Sequence, residues 1–431
     1  MTGQTGQAAA AVVVEQGWFK GMAVVIDDGL ATERDIQQIV TAIRDGGGHP
    51  VILEQLPAET ADLANFANAA FFIMDWNLTG GLEPGIRVPD TLKEENVRAN
   101  LAFLNRLSQH RHAPVFIFTN DDPEVVIAAL QDDPGLRYRP EESHILVKRK
   151  SEVGTDVYRV LNDWAGQVPS VIALKTWERN LFDAINALFV DFHNRSRHWP
   201  VMFWEAAKTD KIPPGEELGR LLTRLVTSRM RPLEIDLSPF EAAMRTDQAA
   251  NAEAYHQSLM RVLEGERIVL NERLDEQSAA PGDFFEETGA EGVTIYWLNI
   301  RAECDCIVRG KNNPNLYLLK GKILDADELK TRVNKQFGNL VEKDNEAVVF
   351  AMYEGKTIAF GFRDLLVDKW RNRRAARKGR LLAPFVSRII QRYAAYSQRP
   401  GLPRLPPALL DQLKPDEDPV AVPEACNLPT E

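Results

Sequence analysis

The stretch FFIMDWNLTG, residues 71–80, sets an apolar run, Phe71 to Met74 with Ala70 before it, directly against an aspartate. Behind Asp75 come Trp76 and Asn77, and the chain then turns through Thr79, Gly80 and Gly81. A run apolar on both faces suits a strand of a parallel sheet, because helices cover both sides of such a sheet. A lone carboxylate delivered at the carboxyl end of that strand stands where open α/β sheets bind their ligands.

Outward from this strand the text from 20 to 150 alternates strand and helix. GMAVVID is an apolar run ending in acid, and ATERDIQQIVTAIRDGGG places Ile36, Ile39, Val40 and Ile43 at helical spacing before a glycine stop. HPVILEQL, AAFFIMD, APVFIFTN and ESHILVKRK read as four further strands, separated by the helical stretches ADLANFAN, TLKEENVRANLAFLNRLSQHR and DPEVVIAALQD. The pattern predicts a doubly wound α/β unit built on a parallel five-stranded sheet.

The carboxyl ends of those strands carry Asp27 and Asp28, Asp75, Thr119, and Lys148. Crowded carboxylates repel one another, so the set calls for a hard divalent cation such as Mg²⁺, which takes oxygen ligands. Asp27 or Asp28 with Asp75 would supply the acids, and the backbone carbonyl of Asn77 a third ligand. One oxygen of Asp75 then remains to attack phosphorus, as aspartyl-phosphate chemistry requires. The Thr119 hydroxyl and Lys148 ammonium are the donors that a phosphoryl group's oxygens need, and Lys148 also neutralises transition-state charge.

VVIDD, FIMDWNL, VFIFT and ILVK together resemble the CheY-like receiver domain of bacterial two-component response regulators. The resemblance covers less than a third of the chain. It implies Asp75 as the phosphorylated residue, Asp27, Asp28 and Asp75 around Mg²⁺, Thr119 and Lys148 assisting, and a histidine kinase or small phosphodonor as source. The sequence departs from the family pattern at LTGGLEPG after the acceptor strand, at Asn120, at Ile145 and at Arg149, where a proline normally follows the lysine.

The remaining text changes character twice. Residues 155–275 read as an all-helical domain or linker, with Leu174, Trp177, Leu181, Ile185, Leu188 and Phe192 on one stripe. His193, His198, Trp199 and Trp204 nearby read as packing in a coupling or dimerisation element. Residues 281–365 are β-branched and aromatic with glycine turns, and predict a small antiparallel β-barrel-like domain in which EGK makes a hairpin. Asp283, Glu286, Glu287, Asp305, Lys320 and Lys322 have the residue types of a metal-dependent nuclease. Leu318 stands where such a site needs an acid, so a binding barrel is the favoured reading. Residues 366–402 read as a basic C-terminal helix region, in which Arg371, Arg373, Arg374, Arg377 and Lys378 could meet nucleic acid or a protein partner. A proline-rich acidic tail, 403–431, follows, and a lead-in, 1–19, precedes; both read as flexible.

The 431 residues suggest roughly two to four domains, and 44% hydrophobic with 26% charged residues is an ordinary globular composition. No run approaches the ~18–20 apolar residues of a membrane span, and three cysteines make neither a disulfide framework nor a zinc site. A cytoplasmic protein is expected. The net charge of −11 weighs against nonspecific nucleic-acid binding by the chain as a whole. The reading is a response-regulator-like signalling protein, without enzymatic activity beyond its own phosphorylation, acting through a protein partner or homodimer. The alternatives are a nucleic-acid-binding or nuclease-like defence effector with a degenerate receiver, and a pure adaptor. The C-terminal part has a looser likeness (YWLNIRAECD) to the appendages of atypical receivers in phage-defence systems.

Overall fold

In the computed structural model, side-chain alternation sorts the first five strands between two cores. The structure describes residues 17–66, 69–78, 89–110, 114–136, 138–140, 143–289, 292–308, 313–336, 338–401, 403, 405–407 and 409. The lead-in through residue 16, the LTGGLEPG turn from Thr79 on and nearly all of the tail lie outside the described residues. Trp18 and Phe19, read as part of a flexible lead-in, are instead buried in the first core, where Phe19 meets Phe71 and Phe116 edge-on. The chain divides into two compact units, 1–249 and 250–431.

The first unit carries β1 (Met22–Ile26), β2 (His49–Leu53), β3 (Ala69–Met74), β4 (Val115–Thr119) and β5 (Ile145–Arg149) in one parallel sheet, ordered β2-β1-β3-β4-β5. Val25, Phe71, Ile73, Phe116 and Phe118 face one side, and Val24, Phe72, Met74, Ile117 and Val147 face the other. Helix α1 (Arg34–Asp45) covers the first face with Ile36, Ile39, Val40 and Ile43, the four apolar residues whose spacing predicted it. Helices α2 (Asp90–His110) and α3 (Pro123–Asp132) cover the second with Phe103, Leu104, Leu107, Val126 and Leu130. The doubly wound α/β expectation is met.

Beyond β5 a short turn, α4 (Lys150–Val153), leads into α5 (Val157–Ala165) and the long α6 (Pro169–Arg195). α5 and the start of α6 belong to the sheet's first core: Val157, Leu161, Trp164, Val171 and Ile172 join Phe71 and Phe116 there, and the Trp164 ring meets Phe116 edge-on at 5.3 Å. The helical text after Lys150 therefore begins as a layer of the parallel sheet. Helices α7 (Trp199–Thr209), α8 (Pro214–Thr227) and α9 (Glu241–Ala250) follow. Of the stripe expected along α6, Leu188 is buried, whereas Leu174 and Trp177 are 45% and 44% exposed. The bend between α6 and α7 closes on an edge-on contact of Phe192 with Trp199.

The second unit begins with α10 (Ala252–Arg267) and is built on β6 (Ile268–Leu270), β7 (Asp283–Thr288), β8 (Thr294–Asn299), β9 (Asn315–Ile323), β12 (Glu346–Tyr353), β13 (Lys356–Lys369) and β14 (Arg377–Leu381). These form an antiparallel sheet ordered β12-β13-β9-β8-β7-β14-β6, while β10 (Val333–Asn334) and β11 (Asn339–Leu340) make a separate ribbon. The barrel-like expectation is met as a curled, open sheet, with β12 and β6 at its edges. Glu354 and Gly355 join β12 to β13 with positive φ at both positions, the geometry of a tight hairpin whose twist matches its strands. The short helices α11 (Glu303–Cys306), α12 (Ala326–Lys330) and α13 (Trp370–Arg373) punctuate the sheet, and α14 (Phe385–Gln398) packs Val386 and Ile389 into its main core.

Two elements differ from their sequence reading. β6 is a strand at 268–270, inside the stretch 155–275 read as all-helical, and it edges the antiparallel sheet. The basic run is not helical throughout: after α13 the chain becomes β14, an inner strand paired with β7 on one side and β6 on the other. Arg377, Gly379 and Leu381 alternate inward with period two, a strand pattern that seven basic residues in twelve conceal. Among the described residues no helix is long and apolar enough to cross a membrane.

Candidate functional site

The sheet order reverses between β1 and β3, so a crevice opens where the carboxyl ends of those two strands diverge from their connections. The parallel ladder continues one residue past each strand. The Asp27 N–H donates to Leu53 O and the Asp75 N–H to Ile26 O, both at 2.9 Å, which fixes the two aspartates side by side. Asp27 is fully buried and Asp75 nearly so.

A fully buried ammonium lies between them. Lys150 Nζ is 2.8 Å from Asp27 Oδ2, 2.8 Å from Asp75 Oδ2 and 2.7 Å from Glu33 Oε2. The outer carboxylate oxygens turn to backbone: Gly29 N–H donates to Asp27 Oδ1 at 2.8 Å, and Asn77 N–H to Asp75 Oδ1 at 3.4 Å. Burial is the largest influence on both aspartates. It pushes Asp75 up to about 7, with Lys150 pulling the other way and Asp27 adding to the rise, and it raises Asp27 against the same ammonium. Burial alone would lower Lys150, but the charges of Asp75 and Asp27 outweigh it and hold the ammonium protonated.

The loop after β4 is tied to this centre from three sides. Asn120 Nδ2 donates to Glu33 Oε2 at 3.1 Å, Asn77 Nδ2 donates to Asp121 Oδ2 at 2.6 Å, and Arg149 reaches Asp122 at 3.3 Å. The Thr119 hydroxyl is buried at the root of the loop and accepts the Asp121 N–H at 3.1 Å.

Asp27, Asp75 and Thr119 stand at the carboxyl ends of β1, β3 and β4, and Asn77 meets Asp75 through its N–H and Asp121 through its side-chain amide. Two expected positions are filled by other residues. The lysine at the carboxylates is Lys150; Lys148 sits within β5, level with Phe118 and half-buried. A strand advances about 3.3 Å per residue, so two residues carry an amine some 7 Å further, from beside the sheet to above its edge. Glu33, from the turn before α1, replaces Asp28 as the third acid, and Asp28 is not part of the cluster. KRK offered two lysines and nothing local distinguished them. Glu33 had one signal: it holds the residue position just before a helix, where a short capping side chain is usual, and makes no cap bond there.

The triad could hold a divalent cation, which would share these carboxylates with the Lys150 ammonium. Oxygens of Asp27, Glu33 and Asp75 lie within 4.8 Å of one another, an all-oxygen donor set of the kind that Mg²⁺ takes. Asp27 Oδ2 is buried and, despite the ammonium beside it, receives no hydrogen bond of good geometry.

The basic run lies in the second unit, where most of its charge is engaged. Arg373 pairs with Asp368 and Glu287 at 2.6 and 2.8 Å. Arg377 is buried and donates to Asn271 and to the carbonyls of Asp275 and Ser278, while Arg380 pairs with the fully buried Asp283 at 2.7 Å. Lys378 lies 3.6 Å from Glu286, and Arg371 and Arg374 remain exposed. Cys304 is exposed, and Cys306, a free thiol like it, is buried.

The chain matches no family model, and no curated protein and no solved structure is similar enough to count as a match.

Proposed function

We propose that this chain is a response-regulator-like signalling protein whose first unit accepts a phosphoryl group on Asp75 and whose second unit carries the output. One observation supports it above the others. A buried ammonium, Lys150, is held against two adjacent aspartates at the strand-order reversal of a 2-1-3-4-5 parallel sheet. A structural ion pair has no need of a third carboxylate from a separate loop, and placing three acids together disfavours folding unless cations answer them.

In the reaction an oxygen of Asp75 attacks the phosphorus of an acyl phosphate or phosphohistidine. The new O–P bond forms as the donor's P–O or P–N bond breaks, and the donor leaves as a carboxylate or as an imidazole that takes up a proton. Asp27 and Asp75 would hold Mg²⁺, which when bound would neutralise charge on the transferring oxygens. Lys150 presents its ammonium to the same oxygens and keeps its proton throughout. Thr119, at the root of the β4–α3 loop, is the hydroxyl nearest in sequence to that loop's ties. A histidine kinase or a small acyl phosphate is the donor this chemistry admits, and a protein partner or a second copy the receiver of the signal.

The test is the intact mass of the protein after incubation with acetyl phosphate and Mg²⁺, for wild type and Asp75→Ala. The reading expects one added phosphoryl group on the wild type and none on the variant. An unmodified wild type, or equal modification of both, would remove it.

A further inference from the structure

Lys150 donates to Glu33 Oε2 and Asp75 Oδ2 and lies 2.8 Å from Asp27 Oδ2, so a phosphoryl group on Asp75 would have to compete with three carboxylates for the same ammonium. The three differ in what yielding would cost. The Asp27 side chain is 1% exposed and Asp75 is 5% exposed, so either would be left as a buried charge without a counter-ion. The Glu33 side chain is 35% exposed and can turn to water. It also comes from the turn that precedes α1, whereas the aspartates are fixed by the parallel ladder.

Two further details show that this position is built. Glu33 Oε2 is shared between Lys150 and Asn120, so the same oxygen holds the ammonium and the loop after β4. Gly29 makes the room: a Cβ there would lie 2.6 Å from the Glu33 carboxyl carbon and 2.9 Å from its Oε1. The glycine after the acidic pair thus leaves space for the glutamate to fold back over it.

We infer that Glu33 is a positioning residue that competes with the incoming phosphoryl group for Lys150, and that its displacement frees Asn120 and the β4–α3 loop. The inference rests on the phosphoacceptor reading of Asp75. While Glu33 holds the ammonium, the loop is latched; when a phosphoryl group on Asp75 claims it, the latch opens. Charge adds to the effect, since Glu33 also repels an anionic donor at the mouth of the crevice.

The experiment follows phosphoryl uptake from acetyl phosphate with Mg²⁺ by intact mass in wild type, Glu33→Gln and Gly29→Ala, with Asp75→Ala as the blank. A second readout is backbone amide exchange of residues 119–122 in the unphosphorylated proteins. Glu33→Gln keeps the shape and removes the charge; Gly29→Ala keeps the charge and pushes the side chain aside. Both should take up phosphate faster, the charge variant by about tenfold for one unit charge removed in a partly screened site. Gly29→Ala should also speed amide exchange in the loop. Uptake by the wild type with unchanged or slower uptake in both variants would overturn the inference and leave Asp75 as the acceptor. No uptake by the wild type would overturn the phosphoacceptor reading, and the inference with it.

Discussion

Lys150 and Lys148 stand two residues apart in ILVKRK, and the structure gives them different work. Replacing Lys150 by methionine leaves Asp27 and Asp75 buried without a cation, which should cost about 3–5 kcal/mol and end phosphoryl uptake. Lys148→Ala should change stability by no more than about 0.5 kcal/mol and leave uptake intact. Urea unfolding and intact mass check both, and uptake by Lys150→Met at the wild-type rate would refute the role. Cys306 offers a second check. Burial pushes its thiol up to about 11, and Asn299 Nδ2 meets the sulfur at 3.3 Å. At about pH 8, iodoacetamide should label Cys304 and spare Cys306 until the unit unfolds, because the thiolate is the nucleophile; peptide mapping reads this directly. The two aspartates and Thr119 were legible in the sequence because each ends an apolar strand. Glu33 and Lys150 were not, because each reaches the site from just outside a strand, through a turn whose direction the residues themselves do not announce.

Among elements, α5 has the largest consequence. Runs apolar on both faces marked the five strands, and the 3.6-residue spacing of Ile36, Ile39, Val40 and Ile43 marked α1, since an apolar face has to be covered. The same rule did not reveal that the first face of the sheet needs α5 as well as α1, because a helix's partner is chosen by the shape of the whole layer. Trp164, at 8% exposure and edge-on to Phe116, is where that layer closes. Trp164→Ala should destabilise the first unit by about 3–5 kcal/mol, seen as a lower urea midpoint. An unchanged midpoint would show that the sheet does not depend on this helix. β14 teaches the converse. Its charges read as a basic helix open to nucleic acid or a partner, yet Arg377 is buried because carbonyls of Asp275 and Ser278 and the Asn271 side chain satisfy its donors. Local composition says nothing of partners a hundred residues away.

Two units with separate cores imply separable folding. Residues 250–401 contain the antiparallel sheet, α10 and α14, with Phe284, Tyr296, Leu319 and Phe360 fully buried within their own cluster. Expressed alone, that segment should unfold in one cooperative transition by circular dichroism; a broad, non-cooperative melt would show that it depends on the first unit. The sequence marked the change in texture but not its place, because the helices from 157 onward share their periodicity with the sheet's own helices and differ only in what they pack against. Composition alone also made residues 369–380 look like the most accessible stretch of the second unit. Trypsin cleaves after arginine and lysine but must draw the backbone out into an extended, unpaired form. The densest row of its sites in this protein lies on α13 and on a strand held from both sides, so those bonds should be among the last to be cut while the unit stays folded, and the exposed Arg371 and Arg374 the first of them to go.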